Sequence, residues 1–126
     1  MTVITAEINY PTLVEKFAKF LCAELDISPT RVAIVPYEVN DGTLGLCLDI
    51  QEDEFIIFVK EEGQNIGQIC NTIAHEMVHV KQFLKENLNH WIHISSNIPY
   101  LDRWYEKEAF LKSIPLVEKF AETLRK

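Results

Sequence analysis

The stretch that decides the fold of this chain is Asn65–Asn87, NIGQICNTIAHEMVHVKQFLKEN. At about 100° per residue, Ile66, Ile69, Cys70, Ile73, Met77, Val80, Leu84 and, just beyond, Leu88 form one apolar stripe, so the segment reads as an amphipathic helix that packs on a sheet. The opposite face carries Gln68, Thr72, His75, His79, Gln82 and Glu86. A spacing of four puts His75 and His79 one turn apart, close enough for two imidazoles to bind one ion. Glu76, one residue on, can take a proton from a water on the open side of that ion. With 4 His and 14 Glu in 126 residues, His-Glu-x-x-His arises by chance about 0.014 times in a chain of this make-up. The helical context then decides for a metal-binding helix over two solvated surface histidines.

On the N-terminal side, an amphipathic helix is expected over about Thr12–Leu25. Leu13, Val14, Phe17, Leu21 and Leu25 recur at helical spacing, Pro11 precedes it, and Thr12 with Glu15 forms a capping box. Three strand-like runs follow the Ser28-Pro29 break: Arg31–Val39, Thr43–Ile50 and Glu54–Lys60. In the second, Leu44, Leu46, Leu48 and Ile50 alternate with Gly45, Cys47 and Asp49, the period of a half-buried strand. Asn40-Asp41-Gly42 reads as a hairpin turn and Gln51–Asp53 as the next turn. These runs predict a small antiparallel meander whose first strand, carrying Pro36, is an edge. Beyond the long helix, Leu88–Leu101 reads as looser, and a last helical region starts near Asp102 and is interrupted at Pro115. The order helix, sheet, helix, helix is that of an α+β protein, one domain over residues 1–126.

Twelve basic and nineteen acidic residues give a net charge of −7. Nucleic-acid binding needs clustered Lys and Arg to neutralise phosphates, and here the basic residues are scattered. Nucleic acid and anionic membrane are therefore not expected partners. No apolar run approaches the roughly 18–20 residues of a membrane span, and MTVITAEINYP lacks the features of a secretion signal. Cys22, Cys47 and Cys70 are an odd set in apolar surroundings, which predicts buried free thiols in a reducing, cytoplasmic compartment.

Catalytic zinc takes three protein ligands and leaves a fourth position for water. Downstream candidates for the third ligand are His90, His93, Asp102, Glu106 and Glu108. Glu108 has Lys112 at i+4, which accounts for it as a surface ion pair, whereas Glu106 has no base at i+4. Two residues apart on a helix, the two glutamates point about 200° away from each other, so at most one reaches the ion. The residues alone leave Glu106, Glu108 and His93 open.

Ala74–Gln82 (AHEMVHVKQ) followed by Trp104–Ala109 (WYEKEA) resembles the small gluzincins, which include phage and bacterial minimal metalloproteases and the ImmA/IrrE-like and SprT-like groups. The resemblance implies a zincin-like fold, with an N-terminal helix, a small sheet, the His-Glu-x-x-His helix and a C-terminal helix that carries the third ligand. That ligand is a Glu three residues before a small residue, here Glu106 before Ala109. It implies one zinc ion per chain and hydrolysis of a peptide or protein substrate, with Glu76 as general base. Phe110 stands where a polar residue often follows, so any hydrogen bond from that position to a histidine must come from elsewhere. Tyr100, Tyr105 and His93 are candidate donors to an oxyanion, although packing or an ordinary polar contact is the commoner role for each, and Trp91 and Trp104 read as core or rim. Two alternatives stand beside general proteolysis. One is a regulatory or host-interaction module acting on a single protein target. The other is a DNA-associated protease, against which the charge of −7 counts.

Overall fold

Val32 and Ile34, and then Phe55, Ile57 and Val59, are buried while the residues between them are not, so both runs turn one face to the core at a period of two. The computed structural model describes residues 1–125. Its elements are β1 (Val3–Ala6), α1 (Pro11–Glu24), β2 (Arg31–Pro36), β3 (Gly45–Gln51), β4 (Glu54–Val59), α2 (Ile66–Lys85), α3 (Leu88–Ile94), a 3-10 turn (Tyr100–Asp102) and α4 (Trp104–Leu124). The class is α+β, as the pattern of elements implies.

The sheet is mixed, not the antiparallel meander expected. Its order is β1-β2-β4-β3, with β1, β2 and β4 parallel and only β3 antiparallel to its neighbour. The four residues of β1 are too few to signal a strand by periodicity. The Asp41-Gly42 turn forms, with Gly42 at φ +85° and the Asp41 carboxylate accepting from Thr43 N–H (3.0 Å) and the Tyr37 hydroxyl (2.7 Å). It is no hairpin, because β3 is carried to the far edge and β4 pairs between it and β2. Pro36 is thus the last residue of an interior strand; the next amide, Tyr37 N–H, still donates to Val59 O (2.9 Å). The Gln51–Asp53 turn does join β3 to β4, through Asp53 at φ 59°.

The alternation in β3 is real but turned over. Leu44, Leu46, Leu48 and Ile50 are 39% to 50% exposed, while Gly45 and Cys47 share the face of buried Val59 and Ile57 on β4. The cause is the closeness of α2, since a Cβ at residue 45 would overlap Thr72 Cγ2. Only small side chains fit on that face at this end of the strand.

The core gathers Val14, Phe17 and Leu21 of α1, the inward residues of β2 and β4, and Ile69, Ile73, Met77 and Val80 of α2. Full burial of each larger side chain contributes about 1.5–3 kcal/mol. Phe17 and Phe20 meet Phe120 at ring distances of 4.8 and 5.2 Å, which ties α1 to α4. Asn65 and Gln68 close a capping box at the start of α2, with both bonds at 2.8 Å. The box expected at Thr12 does not form; Tyr10 in the left-handed region starts α1 with Pro11 as its first residue. Nor does Pro115 interrupt α4, which runs on to Leu124. Pro115 and Leu111, the residue whose carbonyl loses its partner, both lie on an exposed side of the helix. The looser segment before α4 holds α3 and the 3-10 turn. Among the described residues no helix is long and apolar enough to cross a membrane.

Candidate metal centre

The polar face of α2 does not look into open solvent. α4 crosses it, and His75, Glu76, His79 and Glu106 are each only 7–8% exposed. Glu106 sits in the first turn of α4 and projects onto the two histidines. Its Oε1 lies 3.0 Å from His75 Nε2 and 3.1 Å from His79 Nε2. These three residues form a buried group whose ligand atoms lie within 4.8 Å of one another, able to hold a metal ion. Ligands at about 2.05 Å around a tetrahedral ion are about 3.3 Å apart, so the two N···O separations already approach the edges of such a tetrahedron. His90, His93 and Asp102 are exposed and outside the group, and Glu108 points elsewhere.

Gln82 settles the chemistry of His79. Expected on a solvated face, it is fully buried under α4. Its Nε2 donates to Tyr105 O (3.0 Å) and Glu108 Oε1 (2.7 Å), both acceptors only, so its Oε1 must be the atom facing His79 Nδ1 at 2.7 Å. Nδ1 therefore carries a hydrogen, and a neutral His79 presents a lone pair at Nε2. A lone pair 3.1 Å from a carboxylate oxygen is repulsive unless a proton or a cation lies between them. The donor set thus fits a cation, with Gln82 supplying the outer bond that orients the ligand. His75 has a different support: the Phe110 ring meets it edge-on at 4.6 Å.

Glu108 is more than half of a surface pair with Lys112. It also accepts from Gln82 and from Lys81 (3.0 Å), and so braces Gln82 against His79. Burial works to raise the Glu108 carboxyl, but bonds from Gln82, Lys81 and Lys112 outweigh it and hold it at about 2. Burial likewise opposes ionisation of Glu106, yet bonds from His75, His79 and Tyr100 bring it down to about 2. Burial pushes His79 down, and the bond to Glu106 with the charge of Glu76 lifts it above its usual value. Glu76 is raised, chiefly by burial, with His79 and His75 partly offsetting the effect.

A cleft runs between β3 and α2 with Glu76 in its wall. A cavity of about 530 Å³ opens towards Asn71, Thr72, His75 and Phe110, and one of about 170 Å³ towards His79, Phe83 and Ile92. Gly45, Leu46 and Tyr100 line both. The Tyr100 hydroxyl donates to Glu106 Oε1 at 2.9 Å. Trp91 and Trp104 meet edge-to-face at 5.8 Å on α3 and α4, with Trp91 exposed, as rim residues do. All three cysteines are free; Cys22 and Cys70 are buried, and Cys47 faces the smaller cavity with its thiol raised well above the usual value by burial and by Glu76. Compared with protein-family models, curated proteins and solved structures, the chain gives no significant match.

Proposed function

We propose that this chain is a zinc-dependent peptidase of the zincin type, in which His75, His79 and Glu106 hold one zinc ion. The observation that carries this reading is the buried group of His75, His79 and Glu106, in which the fixed tautomer of His79 turns Nε2 to a carboxylate oxygen, a contact that needs a proton or a cation between them. Two imidazoles and one carboxylate are the ligands of open, hydrolytic zinc sites. Zinc there supplies a Lewis acid that polarises a scissile carbonyl and acidifies a water.

The chain's own residues do the rest. Glu76 takes a proton from the attacking water and hands it to the leaving amine, and its raised pKa suits both halves of that task. Tyr100, on the cleft wall, turns its hydroxyl from Glu106 to the oxyanion as negative charge develops. β3 is the sheet edge beside Glu76, and its outer backbone groups take an extended substrate as a further strand. Gly45 lets that backbone approach, since a Cβ there would stand 3.1 Å from Glu76 Oε2.

The test is a pair of measurements. Purified protein should carry about one zinc per chain, and Glu76→Gln should keep the metal while losing cleavage of unfolded protein substrates. Undiminished cleavage by Glu76→Gln refutes the mechanism. Zinc retention with no cleavage by the wild type points to the narrower regulatory role on a single target.

A further inference from the structure

Edge strands usually guard their open side with a Lys, a Pro or a bulge. β3 is an edge strand without Lys or Pro, and its bulge comes only at the end, between Asp49 and Gln51. Lys60 N–H donates to Leu44 O (2.9 Å), which sets the alternation of the antiparallel ladder from there on. Leu46 and Leu48 thus turn their amides and carbonyls to β4, while those of Gly45 and Cys47 point away from the sheet. An added strand would bond to these outward groups.

The neighbouring side chains decide which strand fits. On the outer face of the sheet Leu44, Leu46 and Leu48 are 49%, 40% and 39% exposed. That apolar surface continues inward, since Leu46 and Leu48 stand opposite Phe58 and Ile56 of β4. On the other side, where the cleft opens, the exposed Phe110 and Ile92 stand at the larger and the smaller cavity. A strand added here meets apolar side chains on both of its faces. Glu76 and Glu106 in the cleft, with a net charge of −7 on the chain, disfavour an acidic one.

A segment with apolar residues at successive positions is buried on both sides in a folded protein; β4 of this chain, EFIIFV, is of that kind. A folded partner offers instead an alternating edge strand, with its apolar face already turned inward. Resting on the peptidase reading above, we infer that the site takes unfolded protein chains, docking runs of successive apolar residues as a strand along β3. Leu44, Leu46 and Leu48 hold alternate side chains of the run on the outer face, and Phe110 and Ile92 meet the others at the cleft.

The experiment measures binding in place of turnover. Zinc-loaded Glu76→Gln is titrated by fluorescence anisotropy with two peptides in the same neutral flanks. One carries a run of successive aliphatic residues, and the other has Thr at every second position of that run. The run should bind roughly tenfold more tightly, the worth of two or three apolar cross-strand pairs. Adding Leu46→Thr/Leu48→Thr should weaken binding of the run about tenfold and bring the two peptides within about twofold of each other. Zinc content should not change, because Thr is itself a good strand former and the edge survives. In Glu76→Gln, amide exchange of Gly45 and Cys47 should slow when the run is bound. Equal binding of the two peptides, no effect of the Leu46/Leu48 pair, or unchanged exchange at Gly45 and Cys47 each overturns the inference. So does self-association that Leu46→Thr/Leu48→Thr abolishes and the run cannot displace, which would make a second copy of the chain the occupant. If zinc-loaded wild type binds the run in this way and leaves it uncut, the peptidase reading falls and the docking edge stands.

Discussion

Replacing Gln82 with Met keeps the length of a fully buried side chain but removes the acceptor that faces His79 and the two donors that anchor it. The partners lose unequally. Glu108 keeps Lys81 and Lys112, so its loss is small. Tyr105 O lies inside α4 and keeps its helical bond. His79 Nδ1–H is left without an acceptor in a buried position, a loss of about 1–3 kcal/mol. Removing an outer-shell partner of a metal-binding histidine typically costs 10–100-fold in affinity, or about 1.4–2.8 kcal/mol. We expect Gln82→Met to bind zinc 10–100-fold more weakly in competition with a chromogenic chelator. The chelated protein should lose about 2–3 kcal/mol in urea unfolding. Zinc affinity within about twofold of wild type, alongside the stability loss, would refute the argument and reduce Gln82 to a space-filler.

Glu106→Ala should leave less than stoichiometric zinc by elemental analysis, whereas Glu108→Ala should retain zinc more weakly and lose about 1–2 kcal/mol, more than the 0.2–0.5 kcal/mol of a helix surface pair. Gly45→Ala should lose about 1–3 kcal/mol through overpacking and depress cleavage more than zinc content; adding Thr72→Ser, which removes the overlapped Cγ2, should recover stability in thermal melts. For pH, the Glu106 carboxyl at about 2 lies below its ordinary 4.5, so it stabilises metal-free protein fully above 4.5 and progressively less as pH falls from 4.5 through about 2. Acid unfolding of chelated protein should therefore shift upward in Glu106→Gln. His79 is raised above 6.5, so its contribution is complete below 6.5 and is lost as pH rises through the folded value. Zinc must displace that proton, so zinc binding in weak buffer should release protons below that value and tighten as pH rises.

What the sequence determined by itself is what depends on one stretch of chain. The helix over Asn65–Asn87 was legible from its apolar stripe, whereas the Asn65–Gln68 box that caps it was not read from the sequence. The adjacency of His75, Glu76 and His79 followed, because a spacing of four on one helix needs nothing else from the fold. The α+β class was legible for the same reason. The period of β3 was legible too, but not which of its faces meets the core. That depends on how close α2 lies at Thr72, and so on how two elements cross. Strand order was beyond local reading, since β2 pairs with β4 across an excursion and the four residues of β1 join from the start of the chain. At the centre, Glu106 was singled out over Glu108 by resemblance; only the crossing of α4 over α2 puts its carboxylate 3.0 and 3.1 Å from two imidazoles 31 and 27 residues away. Gln82 read as a surface polar residue because its partners Tyr105 and Glu108 lie 23 and 26 residues downstream. Periodicity reports how a helix divides its faces, but the partner that covers each face is chosen by packing between distant segments, and that choice leaves no mark in a local window.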